Sequence, residues 1–151
     1  MEISGKTAIV TGGAAGIGQA AVLQLVGKGA ARLIIVDVDE AGMAEAAARA
    51  RAAGAIAETV RLDLSDLYAV ETWFGSLSAR GGCDILFNNA GIVSGTPQFP
   101  TAEVRGLRRM IDVNLSSLVI ATQLAAQAMR ARGGGVIVNT VSTVALGTGF
   151  S

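Results

Sequence analysis

Short apolar runs alternate along this chain with longer stretches in which apolar positions recur three and four residues apart. The runs KTAIVT (6–11), RLIIVDV (32–38), AETVRL (57–62), DILFNN (84–89) and GVIVNT (135–140) have the length and β-branched content of strands. Between them, residues 16–28, 40–53, 67–79 and 103–130 are long enough for helices. The second of these is rich in alanine and meets Gly54, a natural stop. Ser65 is placed to cap the third and Thr101 the long fourth, two residues before Glu103. Strict alternation of strand and helix predicts an α/β domain, with a parallel sheet, right-handed crossovers and helices on both faces.

Composition agrees with that pattern and narrows the partners. Of 151 residues, 51% are hydrophobic and 16% charged, so the chain can bury a core and is not a charge-solvated polymer. Twelve basic and twelve acidic residues cancel, leaving no field to recruit nucleic acid or an anionic membrane. The longest uncharged stretch, 113–129, contains Asn114, Ser116, Ser117, Thr122, Gln123 and Gln127, too polar for a membrane span. One cysteine, Cys83, permits no internal disulfide. With a first few residues unlike an export leader, it points to a cytoplasmic setting. The chain has no histidine and no metal-ligand cluster, so neither imidazole nor metal catalysis is expected.

The first turn carries candidate chemistry. TGGAAGIG, Thr11 to Gly18, follows the first strand and opens the first helix. Gly12, Gly16 and Gly18 allow the backbone to approach a diphosphate, with the helix N-terminus aimed at its negative charge. Glycine is 20 of 151 residues, so the spacing alone has little weight; its place between strand and helix strengthens it. Asp37 ends the second strand, where a carboxylate accepts hydrogen bonds from both adenosine ribose hydroxyls and repels a 2′-phosphate. No Arg or Lys lies between Gly12 and Gly18, so NAD is favoured over NADP. The competing reading is that Asp37 only caps its strand or the following turn.

TGxxxGIG at 11–18, an acid at 37, Asp63-Leu64, Asn88-Asn89-Ala90-Gly91, Asn114 within DVNL, and Ser142 after Val138-Asn139 occur in that order. This ordered set resembles the short-chain dehydrogenase/reductase family in its single-domain form, across the whole chain. The resemblance implies a Rossmann-type doubly wound sheet of order 3-2-1-4-5, with residues 1–151 as one NAD(P)-binding domain. It implies cofactor contacts from Gly12, Ala14, Gly16, Ile17, Gly18, Asp37, Asp63, Leu64, Asn89, Ala90 and Gly91, with Asp63 bonding the adenine amino group. It also implies a helix interrupted at Asn114, whose side chain holds a water in a proton relay, and a substrate-bonding role for Ser142. Val141 stands where the family often has another serine, and Thr143 is the competing hydroxyl. Read as bare residues, Asp63 caps a strand end near Arg61, Asn88-Asn89 form a turn, Asn114 faces solvent and Ser142 is a loop residue.

The remaining singled-out residues take simpler readings. Cys83 is expected to be inert, Trp73 and Phe74 to pack on the sheet, and Arg105, Arg108 and Arg109 to share a solvated helix face.

The activity implied by the resemblance is hydride transfer between a nicotinamide and an alcohol or carbonyl substrate. The family's acid–base group is a tyrosine with a lysine four residues on, beyond the serine. Here the one tyrosine, Tyr68, is followed four residues later by Thr72, and the lysines are Lys6 and Lys28. The couple is therefore expected to lie outside these residues, in a longer parent that is a homo-oligomer, and the 151-residue chain is expected to be inactive alone. The last strand and the uncharged helix face of 115–124 are then expected to be exposed and to make it poorly behaved. The alternative function is a catalytically silent dinucleotide-binding module. A methyltransferase is a weaker rival, because its glycine-rich turn normally follows an acid, whereas Thr11 stands here.

Overall fold

The computed structural model describes residues 2–93, 97 and 100–142. In chain order these form β1 (Thr7–Thr11), α1 (Gly16–Gly27), β2 (Arg32–Asp37), α2 (Glu40–Ala52), β3 (Ile56–Arg61), α3 (Leu67–Gly75) and β4 (Ile85–Asn88). They continue with α4 (Val104–Ile111), a π-helical turn (Asp112–Ser116), α5 (Ser117–Arg130) and β5 (Val136–Asn139). The strands make one parallel sheet in the order β3-β2-β1-β4-β5, as expected from the sequence. The order reverses between β2-β1 and β4, so the loops after β1 and β4 diverge and leave a crevice at the strands' C-terminal ends.

Alternation along each strand divides the core into two layers. Ala8, Val10, Leu33, Ile35 and Ile85 point to one face, under Val22 and Val26 of α1 and Met43, Ala46, Ala47 and Ala50 of α2. Ile9, Ile34, Val36 and Leu86 point to the other, under Val70 and Phe74 of α3 and Ala121, Ala125, Ala128 and Met129 of α5. A strand buried on both faces needs a continuous apolar run, and β1 and β2 have one. The alanines of α2 let that helix pack closely against the sheet. Phe74 is buried in the core, and Trp73 packs beside it edge-on, with ring centroids 4.8 Å apart.

Three local expectations are corrected. The third helix is capped by Asp66, whose carboxylate accepts from the Ala69 amide, while Ser65 donates its hydroxyl to Asp63. The N-cap residue of α4 is Glu103 rather than Thr101. Residues 67–79 are shorter as an α-helix, ending at Gly75 before a 3₁₀ turn at Ser78–Arg80. The stop at Gly54 holds: α2 ends at Ala52, and Gly54 takes a φ of +91°.

On one edge of the sheet lies β5, with Val136 39% and Val138 46% exposed. Ile111 of α4, Leu115 of the π-helical turn and Val119 of α5 are also exposed. The exposure of β5 agrees with the expectation; of the 115–124 face, Leu115 and Val119 are exposed, whereas Ile120 and Leu124 pack partly against the core. No helix among the described residues is long and apolar enough to cross a membrane.

Candidate dinucleotide site

The glycine-rich turn is closed by contacts that leave no room for side chains. A Cβ on Gly12, whose φ is +66°, would come within 2.8 Å of the Ala90 Cα. On Gly18 it would collide with the Gly12 carbonyl oxygen and stand 2.8 Å from Asn89 Nδ2. These two glycines let β1, α1 and the segment after β4 touch backbone to backbone. Gly16 has a φ of +54° with open space around it, so its role is conformational.

Side chains from β1 and β4 lace the turn together. Thr11, buried at the end of β1, accepts through Oγ1 from the Asn89 amide at 3.0 Å and the Ala90 amide at 3.2 Å. Asn89 Nδ2 donates at 3.4 Å to the carbonyls of Thr11 and Gly12. Asn88, also buried, donates to Thr122 Oγ1 and Asn139 Oδ1, both at 3.0 Å, and so ties β4 to α5 and β5. The adjacent asparagines therefore join three elements instead of forming a simple turn.

A cleft of about 350 Å³ opens between these loops, lined by Gly12, Ala15, Gly16, Asp37, Asp63 and Leu64, and by Asn89, Ala90 and Gly91 among others. At its floor α1 begins on Ala15, which has no side chain to cap the first-turn amides, and no acid lies in that turn. The helix thus offers an anion its positive end, with no capping side chain on it among the described residues. Ala14 is buried, its amide donating to Asp37 Oδ2 at 3.0 Å and its carbonyl accepting from Gln19. Both backbone polar groups of Ala14 are thus engaged internally. Ile17 is exposed, and Gly18 is buried beneath the turn.

Asp37 combines the two readings the sequence left open. Its Oδ1 accepts from the amides of Val38 at 2.7 Å and Asp39 at 3.2 Å, capping the strand end, while Oδ2 holds the glycine turn through Ala14. The carboxylate nevertheless lines the cleft. Asp39 and Glu40 add acidic side chains at the same end, Glu40 pairing with Arg61 at 3.4 Å.

Asp63 follows the neighbouring strand β3 and also lines the cleft. Ser65 donates to its Oδ1 from the amide at 2.9 Å and from the hydroxyl at 2.7 Å, and Arg109 reaches Oδ2 at 3.4 Å. Those bonds from Ser65, with the nearby charges of Arg109 and Arg61, hold the Asp63 carboxyl below its ordinary value. Arg109 stays exposed beside Arg105 and Arg108, as expected from the sequence, and in addition lines the cleft. A signal was available: Arg109 lies one helical turn before the buried, cleft-lining Val113.

Asn114 falls inside the π-helical turn, so the long helix is interrupted where the resemblance placed the break. Its Oδ1 accepts from the Ile92 amide and its Nδ2 donates to the Ile92 carbonyl, each at 2.8 Å. Ser142, three residues past β5, is exposed at the end of the described residues; Thr143 lies outside them. Neither Asn114 nor Ser142 is among the residues lining the cleft. Cys83 is buried, which with Asp84 pushes its thiol up to about 11, outweighing Arg132. Among the described residues no group of His, Cys, Asp and Glu could hold a metal ion.

A family model described as short chain dehydrogenase matches residues 6–150. The chain is 35% identical over 142 residues to an uncharacterized oxidoreductase of Thermotoga maritima, covering 93% of this chain and 55% of that protein. To the 2-dehydro-3-deoxy-D-gluconate 5-dehydrogenase of Bacillus subtilis it is 36% identical over 151 residues, covering 99% of this chain and 58% of the relative. It therefore spans little more than half the length of these relatives. Among solved structures, a metagenomic short-chain oxidoreductase in complex with NADP superposes with a TM-score of 0.83 at 34% identity, over 92% of this chain and 62% of that one. An NAD+-bound xylitol dehydrogenase superposes with a TM-score of 0.87 at 25% identity, over 99% and 57%.

Proposed function

We propose, since this chain belongs to the short-chain dehydrogenase family, that its cleft binds a nicotinamide dinucleotide for hydride transfer to or from an alcohol or carbonyl substrate. One observation carries the reading: the cleft joins an uncapped helix start, a glycine turn with no space for a Cβ, and a carboxylate at each of two neighbouring strand ends. In this reading Gly12, Gly16 and Ile17 border the diphosphate, with Ala14 and the buried Gly18 holding the turn in shape. Asp37 receives the ribose hydroxyls, Asp63 and Leu64 the adenine, and Asn89, Ala90 and Gly91 form the wall along which the cofactor extends.

NAD is preferred over NADP in this proposal. Asp37 lines the cleft with a carboxylate that would repel a 2′-phosphate, Asp39 and Glu40 follow it in the chain, and Arg61 is engaged with Glu40. The relatives named above include binders of either cofactor. The preference therefore rests on the local charge alone. Titrating the 151-residue chain with NADH and NADPH in a calorimeter tests both points. Tighter binding of NADH is expected; no heat from either dinucleotide with folded protein would reject the site.

A bound nicotinamide would give the hydride to a carbonyl or take it from an alcohol. Ser142 is assigned to hydrogen-bond the substrate oxygen, and Asn114, which pins the segment after β4, to order a water. The chain holds no Tyr-x-x-x-Lys pair for proton transfer. We therefore expect it to bind the cofactor without turnover on its own. The whole protein is assigned a homo-oligomeric state, supported by exposed Ile111, Leu115 and Val119, and a cytoplasmic setting, supported by the single buried cysteine.

A second reading, a dinucleotide-binding module with no turnover at all, is favoured by one observation. Tyr68, the sole tyrosine, is 81% exposed on α3, far along the chain from Ser142. Saturable NADH binding by the full-length protein, with no oxidation across a panel of ketones and aldehydes, would select this reading.

A further inference from the structure

The two oxygens of Asp63 are not equivalent. Oδ1 is occupied twice by Ser65, at 2.9 and 2.7 Å, whereas Oδ2 faces Arg109 Nη2 across 3.4 Å. Arg109 comes from α4 and Asp63 from the loop after β3, so the pair bridges two elements far apart in sequence. Both residues line the cleft, and both also line a second, more open recess of about 570 Å³ with Arg105, Arg108 and Asp112. The pair is thus part of the wall between cleft and recess. With side chains 58% and 47% exposed, it contributes little to stability. Its placement matters more than its strength.

We infer that Arg109 is a positioning residue for base selection: it holds Oδ2 of Asp63 at the cleft wall as an acceptor for an exocyclic amine, so that the site selects adenine over a 6-oxopurine. The inference rests on the dinucleotide reading of the cleft. An ionised carboxylate can only accept, so it pairs with the adenine amino group and repels the hypoxanthine carbonyl. Ser65 fixes one oxygen of that carboxylate. Rotation about the side chain would still move the other, and the guanidinium restrains it. Arg109 acts through Asp63 and is assigned no contact with the reacting atoms.

The test compares NADH with its reduced hypoxanthine analogue, titrated against the 151-residue chain, with folding checked by circular dichroism. Wild type should favour the adenine form by roughly tenfold, the effect of one hydrogen bond to a charged group. Arg109→Gln should narrow that ratio to about two- to threefold, Arg109→Lys should restore part of it, and Asp63→Asn should abolish or reverse it. Raising the salt concentration should narrow the wild-type ratio in the same direction, because the pair is exposed. A wild-type ratio retained in Arg109→Gln would overturn the inference. So would equal weakening of both ligands, which would make Arg109 a general attractor of diphosphate. Binding of neither dinucleotide by folded wild type would remove the cofactor reading itself, and this inference with it; a wild-type ratio near one would overturn the inference alone.

Discussion

Asn114 and Ile92 exchange two hydrogen bonds of 2.8 Å, the carboxamide accepting from the Ile92 amide and donating to its carbonyl. This satisfies both backbone groups of a residue in the segment that leaves β4, outside any strand. It also gives a helical asparagine a reason to be there. In the π-helical turn at Asp112–Ser116 an ordinary helical ladder is already broken, so an indifferent helix former costs little. Asn114→Ala should lower stability by roughly 1 kcal/mol, since the site is exposed. It should also accelerate hydrogen exchange at the Ile92 amide; an unchanged exchange rate there would show that the pair does not hold in solution.

Gly18 and Gly27 lie on the same helix and should respond oppositely to alanine. The added methyl at Gly18 would collide with the Gly12 carbonyl and the Asn89 side chain, neither able to retreat without opening the turn. A loss of about 2–3 kcal/mol, with loss of dinucleotide binding, is expected in chemical denaturation and titration. At Gly27 the methyl meets nothing within 4 Å, so alanine should be neutral or stabilise by up to about 1 kcal/mol.

Asp37 serves two tasks, so removing it should have two separable consequences. Asp37→Ala with Val38→Arg exchanges an acid for a base at the cleft wall and should move preference from NADH toward NADPH. It also removes the acceptor for the Ala14 amide and should lower the melting temperature. Asp37→Asn keeps an acceptor for one of the amides and should melt closer to wild type. An unchanged cofactor preference in the double variant would remove Asp37 from the ribose site.

The acid response of the cleft should report Asp63. Its carboxyl is held below the ordinary value of 3.8 by the bonds from Ser65 and the charge of Arg109, so folding favours its ionised form. That contribution is complete above the unfolded value and fades as pH falls through the lower folded one. Ser65→Ala removes the hydroxyl bond while keeping the amide bond, and should raise the Asp63 value in a carbon-detected NMR titration. A titration that did not move would show that the Ser65 hydroxyl turns elsewhere.

The open edge at β5 should dominate the solution behaviour of the 151-residue chain. Val136 and Val138 are exposed on a strand that pairs on one side only among the described residues, and Leu115 and Val119 of α5 and its preceding turn are exposed as well. Self-association at micromolar concentration is expected, and Val138→Lys should reduce it in sedimentation velocity. A monodisperse wild-type monomer that melts cooperatively would contradict this.

Much of this fold was legible because its strands are buried on both faces. Ala8 to Val10 and Leu33 to Val36 are continuous apolar runs, and only a sheet covered on both sides uses them. The break at Asn114 was legible through family resemblance, not through periodicity. What escaped depended on contacts between distant segments. The cap of the third helix falls to Asp66, one residue past the Ser65 expected from the sequence, because Asp63 engages the Ser65 hydroxyl. Arg109 looked like its neighbours Arg105 and Arg108 until the approach of α4 to the loop after β3 placed it opposite Asp63. The double duty of Asp37 likewise requires knowing that Ala14 turns its amide toward β2.

The lacing of the first loop bears on speed as well as affinity. With the Thr11 hydroxyl receiving two amides from the far side and Asp37 holding Ala14, the entropy of ordering this loop has been spent while the chain folds. A ligand arriving there meets a ready-made mould. Its capture should be governed by diffusion and by the pull of an uncapped helix on an anion, with single-phase kinetics that rise linearly with concentration.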